Sequence, residues 1–414
     1  MVSAQQDRPL PGPYRALFAD RTFRRLMPVF ALSDLGDGMS VVAVAWLALG
    51  LAPDGGRGSL VGTAVAAYVL PGALGALVLG RWVRRLPAQR LLVTDAALRA
   101  LLLGAVPLAH AAGVLTPAVY VGLLAASSLL HAWGSAGKYA LFVPLLPAGR
   151  RAVANSVLST SLWSATTAGP ALAGLLVGVM SPAWIIGMNA TTFALLAVQA
   201  GRTTTAPPPQ PEPEGTARGL SMLWRQPELL GLLLVTWVFN LAFGPVEVAL
   251  PLFVSGDLDA GAGLLGAYWA AFGIGAVVGA LALGAAGRPR LPLRPAILGI
   301  IAGHGVGMLP FAVTRSAVPS LIGFAFAGLV YGPYSALSFT LIQDRAPAGS
   351  LTAVLAARSA VLLTASPVGA ALGGLLLDRT SAPAVLVGCG ALMIAVVPVS
   401  AVALRLFGTT AQRM

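Results

Sequence analysis

The sequence predicts an all-α membrane protein in which twelve transmembrane helices form two pseudo-symmetric bundles of six. The 414-residue chain is 57% hydrophobic and only 10% charged, whereas soluble chains carry about 25% charged residues. Residues 147–176 and 347–376 agree at twelve of thirty positions without a gap. Such agreement at a fixed offset indicates an internal duplication, so the membrane helices are expected in two like halves.

Twelve apolar runs are long enough to cross a bilayer as a helix, which takes about 20 residues. We name them spans 1 to 12. Spans 1 to 6 are predicted near residues 26–50, 60–80, 91–111, 116–137, 153–179 and 183–200. Spans 7 to 12 are predicted near residues 229–253, 262–286, 295–313, 317–341, 352–377 and 383–407.

The domain boundaries follow from this assignment. Residues 26–200 form the first bundle and residues 221–407 the second. Residues 201–220 are rich in Pro, Thr and Glu, and we expect them to form an extended linker on the cytoplasmic side. Residues 1–25 and 408–414 are predicted to be cytoplasmic tails.

The basic residues sort to one side of the predicted bundle. Of the 26 lysines and arginines, 21 fall in the tails, linker and loops on the side of the N-terminus, with Lys138 among them. Only Arg57, Arg315 and Arg379 fall on the other side. The positive-inside rule therefore places both termini in the cytoplasm. It also explains the net charge of +12 without a nucleic-acid partner; the expected surroundings are a lipid bilayer.

The duplication extends to two other pairs of spans. Spans 2 and 8 match at an offset of 204, through Gly62/Gly266 and Gly75/Gly279 among others. Spans 1 and 7 match at an offset of 206, through Gly38/Gly244. Since six spans separate the copies, both halves have the same orientation and the axis relating them lies along the membrane normal.

Small residues cluster late in spans 5 and 11, where they allow helix backbones to approach closely. We expect these two helices to be the pivot between the halves. The residues assigned to this conformational role are Gly169, Pro170, Gly174, Gly369, Gly373 and Gly374.

Several short motifs carry a family resemblance. GPALAG at 169–174 resembles the span-5 motif of drug/proton antiporters of the major facilitator superfamily. SDLGDG at 33–38, PELL at 227–230 and NLAFGPVEVALPLFV at 240–254 resemble its twelve-span macrolide and enterobactin exporters. The resemblance covers essentially the whole chain and implies the major facilitator fold, alternating access, and export driven by a proton gradient without a bound cofactor.

One loop departs from the superfamily pattern Gly-x-Leu-Ala-Asp-Arg-x-Gly-Arg-Arg. Residues 80–90 read GRWVRRLPAQR, so that Arg85 fits but Arg84 stands in place of the aspartate. Asp95 is a candidate for the missing carboxylate. It lies one turn before Arg99 in span 3, and the two form either a cytoplasmic gate or an intrahelical ion pair.

Ionisable residues inside apolar spans are the main functional candidates, because each costs roughly 2.5–3.5 kcal/mol on insertion scales. Asp34 and Asp37 share a face of span 1, and Glu247 follows Gly244-Pro245 in span 7. We expect these three carboxylates to couple transport to protons. The alternatives are a salt bridge from span 1 to Arg99 or Arg358, a wetted vestibule, and for Glu247 a counter-ion for a cationic substrate or a place at the outer mouth.

Arg358 has no charged counterpart at the equivalent position of span 5, which is Leu158. It is expected to act in gating by neutralising a carboxylate, by binding an anionic substrate group, or by reaching out to the cytoplasmic surface.

Aromatic side chains near the middle of several spans are candidates for lining a substrate cavity, because aromatic walls suit flat, partly apolar ligands and cations. The alternative for each is lipid packing or anchoring at the membrane interface. With one amide, the candidates are Trp46, Trp133, Trp237, Asn240, Phe243, Tyr268, Trp269, Tyr331 and Tyr334.

The sequence therefore predicts a monomeric, proton-coupled exporter of small amphipathic compounds such as drugs, antibiotics or secondary metabolites. Its expected place is the cytoplasmic membrane of a bacterium, since 25 arginines against one lysine indicate a GC-rich genome. No motif supports an enzyme or a metal site, and the lone Cys389 excludes a disulfide within the chain. Two alternatives remain: an uptake symporter for a polar nutrient, and a transporter-like sensor or assembly partner that has lost transport.

Overall fold

The structure is a computed structural model, and the residues it describes form helices joined by short connections. The described residues are 17–53, 55–78, 86–141, 148–203, 221, 224, 226–286, 293–313, 316–334, 337–338, 341–342, 354, 358 and 361–411. Within these ranges the chain contains no β-strand.

Every predicted span of the first half contains a helix. Span 1 begins at Arg21, five residues before its predicted start, because the Asp20 side chain caps it by accepting a hydrogen bond from the Phe23 amide at 2.9 Å. Span 4 is divided into two helices. The first-half helices are Arg21–Leu51, Arg57–Val78, Ala88–Ala111, Pro117–Ser128, His131–Ala140, Ala148–Val177 and Pro182–Gly201.

The second half repeats the arrangement with small irregularities. Span 7 ends in the π turn Phe253–Asp257, and span 9 ends in the 3-10 turn Leu309–Ala312. The α-helices are Pro227–Leu252, Ala262–Ala286, Leu293–Met308, Ala317–Tyr331, Ala365–Leu377 and Ala382–Ala411. Most of the predicted linker, residues 204–220, lies outside the described residues, as do residues 1–16 of the N-terminal tail and 412–414 of the C-terminal one.

Seven helical segments of the described chain are long and apolar enough to cross a bilayer, those of spans 1, 3, 4, 6, 7, 8 and 9. The apolar helices described for spans 10, 11 and 12 are shorter. We call the side of the bundle where span 1 begins the terminal side, and the side where span 1 ends and span 2 begins the far side.

The duplication seen in the sequence is also present in three dimensions. Spans 1 and 5 cross where Gly38 meets Gly169, and a Cβ on Gly169 would lie 2.6 Å from the Gly38 Cα. Spans 7 and 11 cross in the same way where Gly244 meets Gly369. Because the same offsets relate both pairs, the two halves are built on the same close helix crossing.

The two halves meet at a second pair of equivalent contacts. A Cβ on Gly62 of span 2 would lie 2.8 Å from the Gly374 Cα of span 11. A Cβ on Gly266 of span 8 would lie 3.1 Å from the Gly174 Cα of span 5. We call these four glycines the far-side seal, because they lie where spans 2 and 8 begin and spans 5 and 11 end. Spans 5 and 11 therefore contact the opposite half chiefly through spans 8 and 2.

The other residues assigned to the pivot support these contacts. A Cβ on Gly266 would lie 2.9 Å from the Pro170 carbonyl oxygen, so span 8 has no room for a larger residue at this position. Gly373 packs within its own half, where a Cβ would lie 2.6 Å from the Pro245 Cα. One hydrogen bond also crosses the seal, from the Ser59 amide to Asp378 Oδ1 at 3.1 Å.

We expect Gly62→Leu to destabilise the purified protein by ~1–3 kcal/mol, because the new side chain would overlap the span 11 backbone. Thermal unfolding in detergent measures the effect. Gly122→Leu is the matched control, since Gly122 has no atom within 4 Å of its added Cβ. Equal unfolding temperatures for the two variants would contradict the seal.

Candidate functional site

The first half contains a buried ion pair between span 1 and span 3. Arg99 Nη1 donates to both carboxylate oxygens of Asp37, at 2.9 Å to Oδ2 and 3.1 Å to Oδ1. The Asp37 side chain remains 28% exposed, whereas that of Arg99 is 1% exposed. The Asp37 side chain is thus partly exposed, whereas its cation is enclosed by the bundle.

Two neutral side chains complete the coordination of Asp37. Tyr68 of span 2 donates its hydroxyl to Asp37 Oδ1 at 2.6 Å. Asn189 of span 6 donates to the same oxygen at 3.1 Å and to Ser40 Oγ at 2.8 Å. We call Asp37, Tyr68, Arg99 and Asn189 the Asp37 network; it ties four spans of the first half together.

Local packing holds this network in place. The Arg99 guanidinium lies 4.5 Å from the Phe193 ring centroid and 5.2 Å from that of Tyr68, so cation–π contacts support it. Gly36 lies against Asn189, and a Cβ there would collide with the amide side chain. The first glycine of the SDLGDG motif thus lets span 6 approach span 1.

Asp34 belongs to a separate ion pair. Lys138 Nζ donates to its carboxylate at 2.6 and 2.8 Å, and Ser161 Oγ donates at 2.8 Å. Assigning Lys138 to a cytoplasmic loop was wrong. The residue lies in the second helix of span 4 and is 9% exposed, because Asp34 compensates its charge. The partner of Asp34 is therefore neither Arg99 nor Arg358.

The structure does not form the intrahelical pair of Asp95 and Arg99. Arg99 turns to Asp37 instead, and Asp95 is 4% exposed with no hydrogen-bond partner for Oδ1. Arg99 Nε is likewise unpartnered. The Asp95 carboxylate packs against Gly134 of span 4, where a Cβ would overlap it.

Glu247 lies in the second half, between spans 7 and 11. Ser366 Oγ donates to Glu247 Oε1 at 3.2 Å, and the structure shows no ion pair for Glu247 among the residues it describes. Arg358 Nη2 donates to Ser338 Oγ at 3.2 Å, which links span 11 to span 10. Arg84 and Arg85 lie outside the described residues.

The second half brings four of the candidate aromatic residues into one cluster. Tyr331 and Tyr334 stack at 5.8 Å and Phe243 lies 6.3 Å from Trp269, both measured between ring centroids. Four members were not expected from the sequence: Phe239, Phe272 and His304, which contact Tyr331 or Phe243, and Phe324, which contacts Trp269. The spacing of Phe239, four residues before Phe243 on one helix face, was the available signal.

Most of the remaining candidate residues do not join this cluster, and most of them form hydrogen bonds with neighbouring residues. Trp46 lies on the far side beside a cleft of about 420 Å³ that Arg57 and His110 also line. Tyr268 is fully buried and hydrogen-bonded to Ser320, near Phe253 and Phe311. The others make single hydrogen bonds: Trp133 to the Gly75 carbonyl, Trp237 to Thr364, and Asn240 to the Thr236 carbonyl.

The duplication offsets show how the two halves differ. The offset of 206 places Phe243 at the position of Asp37, and the offset of 204 places Phe272 at that of Tyr68. Where the first half holds a charged network, the second half therefore holds aromatic rings.

Comparisons with known proteins agree with this architecture. Residues 26–366 match the family model described as Major Facilitator Superfamily. The chain is 29% identical over 393 residues to the multidrug efflux pump Tap of Mycobacterium tuberculosis, covering 91% of each chain. It is 29% identical over 215 residues to the enterobactin exporter EntS of Escherichia coli, covering half of each.

Solved structures show the same fold. The POT family transporter PepTSo superposes with a TM-score of 0.75 at 10% sequence identity, covering 94% of this chain and 98% of that one. The predicted fold and superfamily are thus confirmed. The family match, the efflux-pump relatives and the helical architecture agree. The chain belongs to the major facilitator superfamily of multi-pass membrane transporters.

Proposed function

We propose that this protein exports small amphipathic compounds across the cytoplasmic membrane of a bacterium in exchange for protons. The observation that carries the proposal is the Asp37–Arg99 pair, in which a carboxylate that remains 28% exposed binds a cation that is sealed from solvent. Asp37, the more exposed of the two, can gain or lose a proton. The change in its charge then alters the interaction that holds Arg99 and the helices packed around it.

Protonation of Asp37 would remove the negative charge that binds Arg99. A buried cation left without its partner is strongly unfavourable, by ~3–5 kcal/mol in soluble proteins. The network must therefore rearrange, and it joins spans 1, 2, 3 and 6. Such a change favours a different helix packing, which is what coupling to a conformational equilibrium requires.

The contact between the halves suits alternating access. The far-side seal consists of backbone contacts between glycines with one hydrogen bond, from Ser59 to Asp378. Packed surfaces of this kind can separate as rigid bodies. With both termini in the cytoplasm, as the positive-inside rule indicates, the far-side seal would hold the halves together at the outer face of the membrane.

The second half supplies features suited to an amphipathic ligand. Glu247 lies one turn after Phe243 of the aromatic cluster, on the same face of span 7. A carboxylate beside aromatic rings favours organic cations with flat apolar parts. The relatives named a multidrug efflux pump and an enterobactin exporter support export rather than uptake.

Collapse of the pH gradient should stop transport into inverted membrane vesicles. Asp37→Asn should have the same effect, because asparagine keeps the size of the side chain but cannot exchange a proton; size-exclusion chromatography verifies that the variant folds. Uptake of a fluorescent cationic dye measures both. Asp257→Asn, an exposed far-side carboxylate, is the matched control and should transport normally.

Transport that survives collapse of the gradient would exclude proton coupling. Transport that occurs only into right-side-out vesicles would indicate an uptake symporter. Normal gradient-driven transport by Asp37→Asn would move the coupling role to another carboxylate, with Glu247 the first to test.

Glu247→Gln should weaken transport of cationic compounds by about tenfold or more, while neutral compounds of similar size are much less affected. The reason is that the variant removes a charge and keeps the side-chain shape. Competition between a cationic dye and its neutral analogue measures the ratio, and an equal loss for both would contradict a counter-ion role.

The Asp34–Lys138 pair is better suited to a structural role, because both side chains are 11% exposed and Ser161 also binds the carboxylate. Lys138→Met should destabilise the protein by ~3–5 kcal/mol, since it strands a buried carboxylate. The double variant Asp34→Asn with Lys138→Met should recover most of that loss. Thermal unfolding measures both, and an absence of recovery would show that the two residues act independently.

A further inference from the structure

Arg99 lies between two buried carboxylates but binds only one of them. It pairs with Asp37, whereas Asp95, one turn earlier on span 3, is 4% exposed and leaves Oδ1 without a partner. Arg99 Nε, a donor, is also unpartnered. Buried polar atoms without hydrogen bonds are uncommon, and each needs an explanation.

The charges of this region do not balance. In the described part of the first half, three carboxylates within the helix bundle lie near two buried cations: Asp34 binds Lys138, Asp37 binds Arg99, and Asp95 remains. An isolated ionised carboxylate is too costly to bury, so such a group holds a proton instead. Charge balance within this set of five side chains then calls for one proton on a carboxylate.

We propose that Asp37 and Asp95 share this proton and that Arg99 pairs with whichever of them is ionised. The inference rests on the proposed exchange of protons at Asp37. In the state seen here Asp95 carries the proton and Asp37 is ionised. When a proton binds Asp37, its new O–H bond releases Arg99, which turns to Asp95 as the O–H bond there breaks.

The first step of this exchange needs only a side-chain rotation, and the loss of the Asp37–Arg99 bond then loosens the network that joins spans 1, 2, 3 and 6. Residues four apart on a helix face each other, so the Arg99 side chain can reach Asp95 by rotation alone. One proton enters at Asp37 and one leaves from Asp95, so the total charge is unchanged. Asp95 lies nearer the start of span 3, on the terminal side, and would release its proton in that direction.

The neighbours of Asp95 leave Arg99 as its available cation among the described residues. Span 4 contributes Lys138, which binds Asp34, and His131, whose Nδ1 is buried and unpartnered and which lies within electrostatic range of Arg99 and Asp37. Span 6 contributes the neutral Asn189 and Phe193. Gly134 presses against the Asp95 carboxylate itself.

Infrared spectroscopy of the purified, substrate-free protein tests the proposal directly. Labelling with ¹³C-aspartate separates the carbonyl band of a protonated aspartate from that of Glu247. At neutral pH the wild type should show this band from Asp95 alone, because exposed aspartates are ionised and do not contribute to it. Asp95→Asn should abolish it. Asp37→Asn should abolish it too, since Arg99 then pairs with Asp95 and ionises it.

Two further variants complete the test. Arg99→Gln should increase the band about twofold, because both carboxylates then hold protons. The double variant Asp34→Asn with Lys138→Met is the matched control and should leave the band unchanged, since it removes one carboxylate and one cation together. Size-exclusion chromatography verifies folding; if Asp37→Asn does not fold, the Arg99→Gln result decides.

Persistence of the band in Asp37→Asn, or no increase in Arg99→Gln, would overturn the exchange, and a band unaffected by Asp95→Asn would place the proton elsewhere. The infrared result does not depend on transport. If vesicle transport proves independent of the pH gradient while the band behaves as expected, the proposed function fails and the shared proton remains.

Discussion

The first half depends on the burial of a single guanidinium group. Arg99 is 1% exposed at membrane depth, and only a carboxylate, two ring faces and close packing make that position tolerable. Asp37 must therefore face inward from span 1, Tyr68 and Asn189 must approach it, and Gly36 must be small enough to admit span 6. The rotation of four helices follows from the solvation of one cation.

A second constraint comes from the close approach of helix backbones. Lipid gives no hydrophobic drive for helix association, so the membrane halves pack through small residues. The crossings of Gly38 with Gly169 and of Gly244 with Gly369 repeat the same solution in each half. The duplicated chain kept its backbone contacts while its interior side chains diverged, from the charged Asp37 to the aromatic Phe243.

The sequence alone predicts the number of helices and the equivalence of the halves, because both depend on apolar length and on glycines that recur at fixed offsets. It does not predict the partner of each charge, because partners depend on helix rotation. Lys138 illustrates this: its place at the edge of an apolar run indicated a loop, but a carboxylate 104 residues away draws it inside. Tyr68 and Asn189 carry no charge and give no signal in an apolar pattern, so sequence reasoning missed them.

The two contacts between the halves, span 2 with span 11 and span 5 with span 8, are equivalent by duplication but unequal in strength. Asp378 accepts a hydrogen bond from Ser59 in the first turn of the span 2 helix, where the positive end of the helix dipole adds to the attraction. Where span 5 meets span 8, Gly178 stands at the position equivalent to Asp378 and has no side-chain oxygen to accept such a bond. If the halves separate on the far side, separation would then begin where span 5 meets span 8, so the first opening there would lie off the pseudo-twofold axis, along one flank of the molecule.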